Sequence, residues 1–116
     1  MSELAVQSIT PDFSVTGQLS PQAMALAAQA GFKSVINNRP DFEGGPAQPT
    51  SESIEAAARA AGLAYAYLPV QGAFQSEQEI AAFARLLDTL PKPILGFCRS
   101  GARTTKLYIS ARQLQG

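Results

Sequence analysis

The chain has 116 residues, 46% of them hydrophobic and 16% charged, which fits one domain that buries roughly two thirds of its unfolded surface and argues against disorder. Its apolar runs, such as Leu63 to Val70, fall well short of the roughly 20 residues that cross a bilayer. The start Met1-Ser2-Glu3-Leu4 lacks the basic and apolar segments of a secretory signal, so a cytoplasmic protein with no membrane partner is expected. There is no histidine and one cysteine, Cys98. That excludes a disulfide within the chain, a thiolate or imidazole zinc site, and serine-histidine or cysteine-histidine catalysis. Carboxylate chemistry, a bound cofactor, or a thiolate activated without histidine remain, and nothing in the sequence calls for a metal or cofactor.

The formal net charge is zero, but its two halves do not mix. Residues 1 to 88 carry all nine acids and four bases, a balance of −5, whereas residues 89 to 116 carry Lys92, Arg99, Arg103, Lys106 and Arg112 and no acid, a balance of +5. A basic surface helix is the plain reading of such a split. Here the basic segment also holds the only cysteine. With the positive charge confined to one short stretch and no aromatics interleaved, nucleic-acid binding is not expected.

Residues 1 to 10 read as an irregular or edge-strand arm, and Phe13 to Thr16 as a first short strand. Ser20 reads as an N-cap with Pro21 at the first helical position, opening an Ala-rich helix to about Ala30 that Gly31 stops. Phe32 to Asn37 is a buried strand. The longest irregular stretch, Asn38 to Thr50, follows it; a loop of that length in a compact domain more often carries function than not. A helix over about Ser51 to Ala61 ends at Gly62, and Ala64 to Leu68 is the next strand. Ser76 and Glu79 form a capping box before an amphipathic helix whose apolar positions are Ile80, Phe83, Leu87 and Leu90. Pro91 and Pro93 end it. Ile94 to Phe97 is the last strand, and Thr104 to about Gln113 the last helix, with Leu107, Ala111 and Leu114 facing inward.

Strands alternating with helices predict an α/β fold with a mainly parallel sheet of four to five strands, in one domain over residues 1 to 116. The loops 38–50, 71–75 and 98–103 should then emerge at the C-terminal edge of the sheet, where open α/β sheets bind ligands. The last of them, Cys98-Arg99-Ser100-Gly101-Ala102-Arg103-Thr104, runs from a strand into a helix. Such a loop aims backbone N–H groups and the helix dipole at an anion. The same field, with Arg99 and Arg103 beside it, favours the Cys98 thiolate. Arg103 offers a forked pair of donors to a tetrahedral oxyanion, and the Thr104 hydroxyl is placed to hydrogen-bond the sulfur as a leaving group.

Cys98-Arg99-Ser100-Gly101-Ala102-Arg103 resembles the active-site loop of cysteine-dependent phosphatases and of rhodaneses. Together with Gly31-Phe32-Lys33-Ser34-Val35-Ile36-Asn37-Asn38-Arg39-Pro40-Asp41, Gln48-Pro49 and Ala61-Gly62-Leu63-Ala64-Tyr65, it is similar to the phosphatase-like domain of the beta-lactamase hydrolase-like proteins, over roughly residues 10 to 113. The resemblance implies a three-layer fold like the dual-specificity phosphatases, with helices on both faces of the sheet, Cys98 as nucleophile and Arg103 as substrate-binding arginine. Some members are described as sulfurtransferases, and the domain occurs fused to sulfur-metabolism enzymes.

Three departures from the phosphatase pattern stand out. Four residues, Arg99 to Ala102, separate Cys98 from Arg103, where phosphatases have five; the shorter ring also suits a persulfide. Phe97 takes the place of the histidine that commonly precedes the cysteine. The loop Gln71-Gly72-Ala73-Phe74-Gln75 holds no general-acid aspartate, whose loss slows expulsion of a poor leaving group about 100-fold to 10,000-fold. Asp41 is the candidate replacement, with Glu43 as alternative, and Arg39 either binds substrate or braces the long loop. Tyr65, Tyr67 and Phe74 are candidates for the pocket mouth, although strand alternation sends at least one tyrosine into the core.

The expected function is a phosphatase acting on a phosphomonoester through a Cys98 phosphocysteine. The alternatives are a rhodanese-like sulfurtransferase carrying a Cys98 persulfide and a non-catalytic module that binds an anion or a protein. Catalysis is expected from Cys98, Arg103 and Asp41, and binding of a small oxyanion from Arg99, Ser100, Gly101, Ala102, Thr104 and Arg39.

Overall fold

Five strands and four helices alternate through the described residues, which are 4–72 and 74–115 of a computed structural model. In chain order they are β1 (Gln7–Thr10), β2 (Phe13–Thr16), α1 (Ala23–Gln29), β3 (Ser34–Asn37), α2 (Ser51–Ala60), β4 (Ala64–Tyr67), α3 (Glu77–Thr89), β5 (Ile94–Phe97) and α4 (Ala102–Gln115). They build one sheet of order β1-β2-β5-β3-β4. The four strands that follow β1 are mutually parallel, and β1 pairs antiparallel with β2 along the edge. The arm before Phe13 is therefore an edge strand in its second half.

Strand alternation divides the core into two layers, one on each face of the sheet. Ile94 and Ile36 join Phe13, Val15, Phe83, Leu87, Leu107 and Ala111 under α3 and α4. Their neighbours Leu95, Phe97 and Val35 turn the other way, to Met24, Ala27, Ile54 and Ala58 under α1 and α2. β5 lies between β2 and β3 and all four of its residues are buried. That explains its continuous apolar sequence: a central parallel strand is covered on both faces. No helix of the described residues is long and apolar enough to cross a membrane.

Local signals place most element ends. Ser76 accepts from the Glu79 N–H while the Glu79 carboxylate accepts from the Ser76 N–H, so the capping box forms as expected. Its helix buries Phe83 and Leu87 fully and Ile80 and Leu90 in part. Three expectations need correction. The first helix begins at Ala23 with Gln22 as its cap; Ser20 and Pro21 form a turn before it, in which the Ser20 hydroxyl accepts from the Ala23 N–H. The last helix begins two residues earlier than expected, at Ala102, because the Thr105 N–H already bonds the Gly101 carbonyl. Leu114 is 60% exposed, and the inward face of α4 is made by Leu107, Tyr108 and Ala111.

Candidate active site

The site assembles where β5 ends in the middle of the sheet. Cys98 follows Phe97, the last residue of that strand, and is 1% exposed. The chain then turns through Arg99, Ser100 and Gly101 into α4. Gly101 has φ +96°, a conformation that disfavours side chains, and an added Cβ would come within 3.3 Å of the Thr16 carbonyl oxygen at the end of β2. The next residue of that segment is as close: a Cβ on Gly17 would meet the Arg99 carbonyl oxygen at 3.0 Å, and that carbonyl accepts from the Gln18 N–H at 3.2 Å. The loop is thus clamped on the segment that follows β2.

This turn points the Gly101 N–H at the Cys98 sulfur, 3.1 Å away. Desolvation of the buried sulfur works against ionisation. It is outweighed by hydrogen bonding from the Thr104 N–H and then from the N–H groups of Ser100 and Gly101, with the Thr104 hydroxyl oxygen also close by, so the thiol is held below its ordinary value. Backbone donors at the start of α4 lead this effect, ahead of the flanking arginines expected to share it. The sulfur lies at the floor of a cavity of about 330 Å³ lined by Gly72, Arg99, Ser100, Ala102, Arg103 and Lys106. A larger groove of about 860 Å³ runs behind the same loop, between β1 and α4, and does not hold the sulfur.

Arg103 is nearly buried and tied from two sides. Its Nη1 donates to the Val70 carbonyl at 2.9 Å and its Nη2 to Glu43 Oε1 at 3.1 Å, while the buried Nε has no partner among the described residues. The same Glu43 oxygen accepts from Arg39 Nε at 3.0 Å. Burial tends to raise the Glu43 carboxyl, but hydrogen bonds and charge from Arg103 and Arg39 bring it below the usual carboxylate range. Arg39 also donates to Gln18 Oε1, so it braces the long loop and lines the outer pocket beside Arg103. Gln48 ties the loop internally, accepting from the Gly44 N–H and donating to the Pro40 carbonyl.

The loops after β3, β4 and β5 meet at one sheet edge as expected, with Arg39, Glu43, Gly72, Arg99 and Arg103 around one opening. Asp41 is not among them. Its carboxylate accepts from the Ser51 N–H at 2.8 Å at the start of α2, and its own N–H donates to the Tyr67 hydroxyl at 2.9 Å. A carboxylate at a helix N-terminus satisfies a free donor and complements the dipole, so Asp41 shapes the loop and Glu43 is the acid that reaches Arg103. Tyr65 is core, bonded to Asn37 and Ser51; Tyr67 is half exposed, and Phe74 lines a separate depression with Pro40 and Pro69.

Sequence reasoning did not single out Lys106 or Asn38. Lys106 lies four residues after Ala102 on α4, one helical turn on, which is a signal that spacing alone supplies. Asn38 is fully buried behind Cys98, where its Oδ1 accepts from the Thr104 hydroxyl at 2.9 Å.

Residues 5–114 match the family model of the "Beta-lactamase hydrolase-like protein, phosphatase-like domain". A beta-lactamase hydrolase-like protein of Xylella fastidiosa (strain Temecula1) is 36% identical over 113 residues, 97% of this chain but 26% of that protein, so the chain spans about a quarter of such relatives. Among solved structures, a putative phosphatase from Neisseria meningitidis superposes with a TM-score of 0.87 at 27% identity, covering 98% of this chain and 80% of that one. The fold is shared more distantly with P. aeruginosa TpbA, solved in complex with pTyr: TM-score 0.66, 18% identity, 88% of this chain and 58% of that one. The chain belongs to the phosphatase-like domain family of the beta-lactamase hydrolase-like proteins.

Proposed function

We propose that the chain is a cysteine-dependent phosphatase that hydrolyses a phosphomonoester through a phosphocysteine on Cys98. The observation that carries this reading is the sulfur at the floor of a cationic cavity, with the Gly101 N–H 3.1 Å from it and its acidity raised by the donors of the loop. The Cys98 thiolate attacks phosphorus, and the alkoxide or aryloxide leaves with a proton from solvent. Water then attacks the phosphocysteine, inorganic phosphate departs, and the electron pair returns to sulfur. Loop N–H groups and Arg103, whose buried Nε has no partner among the described residues, stabilise the equatorial oxygens as charge moves. Arg99 and Lys106 at the cavity wall add attraction for a dianion.

Among the described residues that line the site, Glu43 is the one acid. Glu43 is engaged by two arginines and held ionised, which makes it a poor proton donor. The reading therefore favours substrates with good leaving groups, such as aryl phosphates, over alkyl phosphates. The comparisons lend no support to sulfur transfer. The test is hydrolysis of an aryl phosphate inhibited by vanadate, alongside thiosulfate-to-cyanide transfer, each repeated with Cys98→Ser. Vanadate-sensitive hydrolysis abolished by that substitution is expected; sulfur transfer alone would replace the phosphatase reading, and neither activity would leave an anion-binding module.

A further inference from the structure

Behind the sulfur lies a pair of fully buried polar side chains that the reaction scheme does not use. Asn38 follows β3 and Thr104 is in the first turn of α4; both are 0% exposed. Asn38 is pinned along its backbone, its N–H donating to the Phe97 carbonyl at 2.9 Å and its carbonyl accepting from the Val70 N–H at 3.0 Å. Its side-chain Nδ2 donates to the Leu68 carbonyl at 2.9 Å, and its Oδ1 faces the Thr104 hydroxyl at 2.9 Å.

The direction of these bonds is forced. Turning the amide over would set its oxygen against the Leu68 carbonyl oxygen, two acceptors with no proton between them. Oδ1 must therefore face Thr104, and only the threonine hydroxyl can supply the proton of that contact. The hydroxyl oxygen also lies within reach of the Cys98 sulfur. It has a single proton, so it cannot serve both acceptors at once. Because Asn38 has no other orientation, the proton goes to Asn38, and none is left for the sulfur.

We propose that Asn38 is a positioning residue that takes the Thr104 hydroxyl proton, so that in the free site the Cys98 sulfur is held by backbone N–H groups and the hydroxyl is withheld from it. The inference rests on Cys98 being the nucleophile. Asn38 thus keeps the sulfur less acidic than the loop alone would make it with Thr104 released. The charged groups lining the cavity, Arg99, Arg103 and Lys106, and Glu43 bound to Arg103, stay in place in every variant below.

The test is the pH dependence of Cys98 alkylation by iodoacetamide, which reads the only sulfhydryl in the chain. Asn38→Leu should free the hydroxyl for sulfur and lower the midpoint by about one pH unit, the effect of one hydrogen bond to a charged acceptor. Thr104→Val should leave the midpoint where it is in the wild type, as should Thr104→Ser, which keeps the hydroxyl. In the Thr104→Val background, Asn38→Leu should no longer shift it. A midpoint raised by one unit or more in Thr104→Val but not in Thr104→Ser would overturn the proposal, because the hydroxyl would then already be on sulfur. A shift on Asn38→Leu that persists unchanged without the hydroxyl would overturn it too. If Asn38→Leu fails to fold, the two Thr104 variants still decide. Absence of phosphatase activity with this alkylation pattern intact would count against the phosphatase reading only.

Discussion

Gly96 lies in the middle of β5, directly behind Thr104, and its substitution by alanine tests how tightly the site is backed. A Cβ there would sit 2.7 Å from Thr104 Cγ2 and 3.1 Å from Phe13 Cζ. Ordinary carbon contacts are about 3.5–4.0 Å, so the neighbours must give by nearly an ångström. Neither can do so freely. Thr104 is β-branched and bonded to Asn38, while Phe13 is stacked on Tyr108 at 4.6 Å and edge-on to Phe83 at 5.9 Å. Overpacking of this kind destabilises by about 1–3 kcal/mol. At about 2.1 cal/mol/K per residue of unfolding entropy, Gly96→Ala should lower Tm by about 4–12 °C. Thr104→Ser removes only the methyl group that clashes and should itself lose about 1 kcal/mol. The double variant should then be more stable than the sum of the two by at least about 1 kcal/mol. Thermal denaturation followed by circular dichroism reads all four corners. An unchanged Tm for Gly96→Ala, or strict additivity in the double variant, would refute the packing argument.

Asp41→Asn should lose about 0.5–1 kcal/mol at the start of α2, with aryl phosphatase activity within about twofold of wild type; a fall of about 100-fold would restore Asp41 as an acid. Gly101→Ala, at φ +96° and 3.3 Å from the Thr16 carbonyl, should lose about 1–2 kcal/mol and move the N–H that faces the sulfur, which a raised midpoint of Cys98 alkylation would report. The lowered Cys98 pKa also ties stability to pH. Because the folded value lies below the unfolded thiol near about 8.5, stability should rise as pH climbs through the folded value toward about 8.5 and be lost as it falls back through it. Cys98→Ser should remove that slope below about pH 8.5 in a Tm series; a wild-type slope unchanged by the substitution would contradict the lowered value.

What the sequence determined by itself is what short-range chemistry controls. The capping box at Ser76 and Glu79, the buried run Ile94 to Phe97, and the strand-loop-helix passage through Cys98 and Gly101 all rest on residues within a few positions of one another. The parallel connections followed from alternation of strands and helices, and with them the meeting of three loops at one edge. Only the tertiary structure could decide between Asp41 and Glu43. They are two residues apart with the same charge, and the choice depends on which way the turn aims each carboxylate, one at the start of α2 and the other at Arg103, sixty residues on. Leu114 fits the helical stripe but lies exposed beyond Ala111, the last buried residue of α4. The Asn38–Thr104 bond joins residues 66 apart. Nothing local marks either as a partner, because a buried polar group declares itself only when the surrounding strands remove its water.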